Sequence, residues 1–196
     1  MSTEKYITEG LVLKKYEQGE NDLIFKIFTS EFGIIFVLAK SIRKINSKLR
    51  MQVQVAHFLK LTLVKGREVW RLAGARENFL PVSQGVEKIK NTEKIEKIVL
   101  VSECLNRFLP AEKPQPRLFT RLKELLILEG INLNNFRVLV YYLILVETGY
   151  ADVQVLGVQN FQEYQNLKIA DLQTSFLLRQ AAVKDHLKKV LKESML

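Results

Sequence analysis

The sequence predicts an α+β protein, a small five-stranded barrel in residues 1–80 followed by an all-helical domain in residues 81–196. Three observations predict it. Between turn residues, apolar side chains alternate with period two from Tyr6 to Ala75. After about residue 95 they recur every three or four positions instead. Pro81, Ser83 and Gly85 stand at the change, as expected of a boundary. The 196 residues suit one large or two small domains, and 47% hydrophobic composition is enough for a buried core.

The first strand is read over Tyr6 to Lys15, with Ile7, Glu9, Leu11, Leu13 and Lys15 on one face and Tyr6, Thr8, Gly10, Val12 and Lys14 on the other. Gly19-Glu-Asn-Asp22 turns the chain into a second strand, Leu23 to Phe28. Glu31-Phe-Gly33 makes the next turn, and Ile34 to Ala39 is the third strand. Residues 41–51 form a long loop. Val53 to Val64 alternates again, and Lys65-Gly66-Arg67 turns into Glu68 to Ala75. Five strands with a longer connection after the third suit a small barrel such as the OB-fold, although spacing does not separate it from other small barrels.

Beyond the boundary, Ile95, Ile98, Val99, Ser102, Leu105 and Leu109 line one helical face, and Pro110, Pro114 and Pro116 end that helix. Leu118, Leu122, Leu125 and Leu126 mark a second helix closed by Gly130. Asn134 or Asn135 is read as the cap of a third, Phe136 to Thr148. It is apolar almost all round and so belongs at the centre of a bundle. A less regular stretch runs from Tyr150 to Asp171, and Thr174 or Ser175 is read as the cap of a last helix.

Charge supplies the functional signal. The chain carries 30 Lys and Arg against 21 Asp and Glu, a net charge of +9. From Phe32 to Arg67 there are eight Lys or Arg and no acidic residue. Five of these, Lys40, Arg43, Lys44, Lys48 and Arg50, crowd into the eleven positions 40–50, at the start of and within the long loop. A positive loop on a small sheet grips a polyanion, and nucleic acid is the expected one because neutralised phosphates release counterions. Lys60 within a strand, Lys65 and Arg67 in the following turn, and Arg71 extend the patch if the barrel closes on that side. Phe28, Phe36, Phe58 and Trp70 are either core residues or stacking platforms for bases, and Trp70 stands nearest in sequence to arginines. Lys184, Lys188 and Lys192, four residues apart, form a second basic stripe on the last helix. They either complement the helix dipole or make a secondary nucleic-acid contact.

Other classes find little support. One cysteine, Cys104, permits no intramolecular disulfide, and with only His57 and His186 beside it no four-ligand zinc site of Cys and His is available. Cys104 lies in an apolar stretch and reads as a core residue. His57 reads as a core or edge residue and His186 as an exposed helical one. The start lacks a signal peptide. The longest apolar run, Val138 to Val146, has nine residues, far short of the ~20 of a membrane span. P-loop, GxGxxG, GxSxG and HExxH motifs are all missing, so no catalytic residue, metal or cofactor is expected. A soluble, cytoplasmic binding protein is the expectation.

Particular segments are similar to the bacterial RecO DNA repair family. They are Glu9-Gly-Leu-Val-Leu13, Gly19-Glu-Asn-Asp-Leu23, Phe28-Thr-Ser-Glu-Phe-Gly33, Leu38-Ala-Lys-Ser-Ile-Arg-Lys44 and Ser47-Lys-Leu49. The likeness continues through Phe58 to Leu63 with Gly66-Arg67, Leu118-Phe119, Phe136 to Leu145, Glu147-Thr-Gly-Tyr-Ala151 and the closing Leu187 to Leu196. It covers nearly the whole chain and is most specific in its first fifty residues. The resemblance implies a recombination mediator with an N-terminal OB-fold and a C-terminal helical domain. Such a protein binds single- and double-stranded DNA, anneals complementary strands, and works with RecR and the single-stranded DNA-binding protein. Its basic OB-fold positions carry over to Lys40, Arg43, Lys44 and Lys48. Many relatives bear four zinc-binding cysteines just after the Gly-Tyr-Ala segment. Here that place reads Val155-Leu-Gly-Val-Gln-Asn160, a compact form without ligands, which leaves the fold of residues 152–171 open.

Two alternatives share these features. One is a general single-strand DNA- or RNA-binding module without annealing or mediator activity. The other is an interaction scaffold whose helical domain binds proteins and whose charge serves solubility or membrane-surface contact.

Overall fold

The structure, a computed structural model, describes residues 4–77, 87–109, 111 and 113–193. Five strands, β1 (Lys5–Gln18), β2 (Asp22–Thr29), β3 (Gly33–Ala39), β4 (Phe58–Val64) and β5 (Trp70–Glu77), close into a barrel in the order β1-β2-β3-β5-β4. All neighbours are antiparallel except β3 and β5, which close the barrel in parallel through Val37–Trp70 and Leu38–Arg71. A short helix, α1 (Leu49–Gln52), lies in the long loop, and Val53–Ala56, expected as strand, is not part of β4. The proposed boundary at Pro81, Ser83 and Gly85 lies outside the described residues.

Inside the barrel, Val12, Phe25, Ile27, Ile35, Val37, Leu59, Leu61 and Leu63 form one apolar core. Outside it, Leu11, Leu13, Phe28, Ile34 and Phe58 belong to a second core shared with the helices. So β1 is buried on both faces at its centre, where alternation alone offered one apolar face. A β-bulge between Val12 and Lys14 makes this workable. The extra residue, Leu13, joins the helical core, and the strand then resumes in shifted phase. Residues 56–57 lie alongside: Ala56 N–H donates to the Val12 carbonyl at 2.9 Å and Val12 N–H to that of His57 at 3.0 Å.

The helices are α2 (Glu87–Phe108), α3 (Pro116–Ile127), α4 (Leu133–Glu147), α5 (Phe161–Asn166), α6 (Ile169–Leu178) and α7 (Gln180–Glu193), with a 3₁₀ turn at Val153–Leu156. Burial of α4 on nearly every side confirms its central place: it packs on α2, α3 and α7. Its cap is Asn132, whose side chain accepts from Asn135 N–H at 2.9 Å. On α2 the buried face is Ile98, Val101, Cys104 and Leu105, whereas Ile95 and Val99 are exposed. Burial pushes the Cys104 thiol up to about 12, as befits a core residue.

Two further expectations change. Gly130 does not close α3, which ends at Ile127 with Leu128 as cap. Thr174 and Ser175 start no helix. Ile169, Leu172 and Phe176 continue one buried stripe through α6, and the Thr174 hydroxyl bonds back to the Ala170 carbonyl at 3.1 Å. The break comes at Arg179, and α7 follows. His186 is half-buried on α7 and accepts from Asp152 N–H at 3.2 Å. Residues 152–171 fold on apolar anchors, Val153, Leu156, Val158, Tyr164 and Ile169, all buried, together with hydrogen bonds from Tyr142 to the Asp152 carbonyl and from Arg121 to the Tyr164 carbonyl. Asn160 caps α5 by accepting from Glu163 N–H at 2.9 Å.

The helices hold one side of the barrel. Phe119 meets Phe28 and Phe58 at ring-centroid distances of 5.4 and 6.0 Å, and Lys123 pairs with Glu9 at 2.7 Å. Ile34 bridges to Ala111. Beside it Gly33 has φ +68, and a Cβ there would lie 2.2 Å from the Lys113 carbonyl oxygen. An alanine in the left-handed region costs about 1–2 kcal/mol before any clash. Gly33→Ala is therefore expected to lower the urea-unfolding midpoint by more than that strain alone, because the Lys113 backbone must also move. A midpoint within error of the wild type would contradict this seam.

Candidate nucleic-acid interface

The basic loop is charge mounted on a fixed frame. Ile42 and Val53 are 1% and 2% exposed, and Leu49 packs against the barrel core. Asp22, at the start of β2, accepts from Ser41 N–H at 2.7 Å, and Arg43 N–H donates to the Asn21 carbonyl at 3.1 Å. These apolar pegs and backbone bonds leave Lys40, Arg43, Lys44, Lys48 and Arg50 exposed. Among the described residues only Arg43 of the five has an ion pair, with Glu17 at 3.5 Å. Both partners are largely exposed, so water and salt screen the pair and leave the arginine available.

The frame continues down the outside of β1, β2 and β3. Register places Lys14 beside Lys26 and Lys26 beside Phe36, then Tyr16 beside Ile24 and Ile24 beside Leu38. Among the described residues this exterior is the unroofed half of a face whose other half, Leu11, Leu13, Phe28 and Ile34, lies under the helices. The β-bulge decides which lysine stands here. Unbroken alternation would send Lys14 the way of Val12, into the barrel; the extra residue puts Lys14 and Tyr16 outside. Tyr16 and Phe36 remain 39% and 38% exposed, with ring centroids 6.3 Å apart. The Lys14 ammonium sits 5.2 Å from the Tyr16 ring centroid. Burial and then the neighbouring Lys14 charge hold the Lys26 ammonium below its ordinary range. An anion bound between the two lysines would relieve that repulsion.

The other sequence candidates fall in different places. Arg71 is exposed and stands beside Leu38 across the parallel seam, adjoining the same face. Lys65 and Arg67 lie in the β4–β5 turn, which the parallel register sets toward the opposite mouth of the barrel. Lys60 is exposed on β4 between Glu9 and Arg76. Trp70, foremost among the aromatic candidates by sequence, is half-buried with Tyr6 and Phe32 in a three-ring plug at that mouth, at centroid distances of 5.3 and 4.7 Å. Phe28 and Phe58 are core. Phe36 alone of the four is on the open face. Lys184, Lys188 and Lys192 are exposed on α7, which packs on α4, α6 and the 3₁₀ turn, so the stripe belongs to the helical part; Lys188 pairs with Asp185 at 3.3 Å. Sequence reading missed Lys14, Tyr16 and Lys26. Paired lysines at positions 14 and 15 inside a strand were the one available sign of a phase change.

The helical part holds a cleft of about 580 Å³ bordered by Arg117, Arg121, Glu124, Leu167, Lys168 and Ile169. Behind it Arg121 is 5% exposed, stacks 4.3 Å from the Tyr164 ring centroid, donates to the Tyr164 carbonyl at 2.7 Å, and lies 3.5 Å from the buried Glu147 carboxylate. Among the described residues no group of three or more His, Cys, Asp or Glu is placed to hold a metal ion, and no helix is long and apolar enough to cross a membrane.

Comparison with known proteins finds likeness in the barrel half of the chain. Residues 1–76 match the model of the recombination protein O N-terminal domain. The chain is 27% identical over 118 residues to a DNA repair protein RecO of Dehalococcoides mccartyi, covering 59% of this chain and 44% of that protein. It is 30% identical over 122 residues to one of Gloeothece citriformis, covering 61% and 41%. It is 33% identical over 81 residues to one of Caldicellulosiruptor bescii, covering 40% and 33%. The matched region thus spans less than half the length of these relatives. The closed five-stranded barrel and the domain match agree: residues 1–76 are similar to the N-terminal OB-fold domain of recombination protein O.

Proposed function

We propose that this chain acts in DNA repair and recombination as a cytoplasmic mediator, a binding protein rather than an enzyme. It binds single- and double-stranded DNA without sequence preference and anneals complementary strands. The observation that carries this reading is the anchored basic loop, continuous with the Lys14–Lys26 face and balanced, among the described residues, by a single exposed ion pair. Such a surface neutralises phosphates and leaves bases free to pair. Backbone contacts carry no sequence information, so binding is sequence-neutral.

The helical domain, residues 81–196, takes the protein contacts, with the α7 lysine stripe as a secondary DNA contact. The cleft beside Arg117 and Lys168, with Leu167 and Ile169 as its apolar wall, supports an acidic, apolar-tipped partner such as a single-stranded DNA-binding protein. A RecR-like protein is the second partner.

Five phosphate contacts give a slope of about −3.5 for log affinity against log salt on single strands. Titrating labelled single-stranded DNA at several salt concentrations, alongside an annealing assay with complementary strands, checks both halves. Binding that ignores salt would remove the DNA reading. Salt-sensitive binding without annealing would leave a simple single-strand module.

A further inference from the structure

We propose that Tyr16 and Phe36 form a base-stacking platform that makes the barrel face discriminate single strands from duplex. This deepens the DNA reading above and rests on it.

The rings project from β1 and β3 on either side of β2, where Ile24 and Lys26 separate them. They touch each other only at a tilt of 46°, so neither covers the other's face as a parallel stack would. Their surroundings are those of a strand-binding groove rather than a core. Ile24 and Leu38 make a half-buried apolar floor, with Lys14 and Lys26 beside it and Arg71 next to Leu38 in strand register. Helices roof the adjoining Leu11–Phe28–Ile34 surface, and among the described residues this half is left open. An aromatic cross-strand pair needed only for sheet stability gains most when covered. This pair stays more than one-third exposed within a cationic rim.

The chemistry selects the strand type. Bases of a single strand can leave their own stack and lie on an aromatic ring, with little dependence on sequence because every base has a π-face. In a duplex those faces are already occupied by neighbouring base pairs, and rings on a sheet cannot reach them. Phosphate contacts from Lys14, Lys26 and the Lys40–Arg50 loop serve both forms. The platform adds affinity for one form only. It parks a base or two and leaves the rest of the strand to search for its complement.

The test uses the full chain with oligothymidylate and with a blunt hairpin duplex of equal phosphate number. Tyr16→Leu/Phe36→Leu keeps the apolar volume and removes both π-faces; Tyr16→Ala/Phe36→Ala is the harsher form. Stacking of one base on one ring is worth a factor of about 5 or more. Single-strand affinity is expected to fall by at least that factor in the Leu variant, with duplex affinity within about twofold of wild type and an unchanged salt slope. Fluorescence of 2-aminopurine in the strand is expected to be quenched by wild type and not by the variant. Equal loss on both nucleic acids, or no loss on single strands, overturns the platform while the DNA reading stands. If wild type binds neither substrate, the DNA reading itself falls.

Discussion

Replacing Lys40, Arg43, Lys44 and Lys48 together with Glu is expected to weaken single-strand binding by roughly three orders of magnitude near 0.1 M salt. Each phosphate contact contributes about 0.7 to the slope of log affinity against log salt on single strands. Four lost contacts remove roughly 2.8 from the slope, and at a tenth molar each unit of slope is one decade. The introduced carboxylates add repulsion and deepen the loss. Because the four side chains are exposed and the loop is held by Ile42, Leu49, Val53 and backbone bonds, the fold should survive; an unchanged thermal midpoint checks this. Annealing should fall in parallel on this reading. If affinity, slope and annealing all stay near wild type in the folded variant, the loop is not the DNA contact.

Arg121→Ala is expected to cost about 3–5 kcal/mol of stability, because it leaves the Glu147 carboxylate buried without its counter-charge. Burial already raises the Glu147 carboxyl above its ordinary range, and Arg121 is the strongest influence pulling it back. Without the arginine the folded-state value rises further. A carboxyl with a raised folded-state value binds its proton more tightly folded than unfolded, so its penalty grows as pH rises and fades as pH falls toward the unfolded value. The deficit in Arg121→Ala should therefore be smaller at pH 5 than at pH 8. Glu147→Gln in the same background should recover part of it, and urea unfolding of the four combinations measures the coupling. A pH-independent loss unaffected by Glu147→Gln would assign the effect to lost packing against Tyr164 instead.

The order of the five strands and of α2, α3 and α4 was legible in the sequence because each buries a periodic set of side chains. Alternation located β2 and β3 closely, and the nearly all-apolar run placed α4 at the centre. Reading failed where one segment serves two environments. In β1, Val12 enters the barrel while Leu11 and Leu13 enter the helical core, and alternation has no code for a strand buried on both sides. In α2 the pattern chose Ile95 and Val99, which the tertiary arrangement leaves outside. At α6 the Thr174–Ser175 pair imitated a cap, but the buried Ile169–Leu172–Phe176 stripe carried the helix through. Caps and bulges are short-range signals, and burial of a long stripe overrides them.

By itself the sequence determined a strand-rich half, a helix-rich half and a cationic loop, since period and charge are properties of the chain's order. Only the tertiary structure decided which cations share a surface. Parallel closure of β3 on β5 brought Arg71 to Leu38 and sent Lys65 and Arg67 toward the other mouth, and one extra residue at Leu13 turned Lys14 and Tyr16 outward beside Lys26 and Phe36. A strand's side chains flip faces with each residue, so a one-residue bulge that is invisible in composition exchanges inside for outside along the rest of the strand.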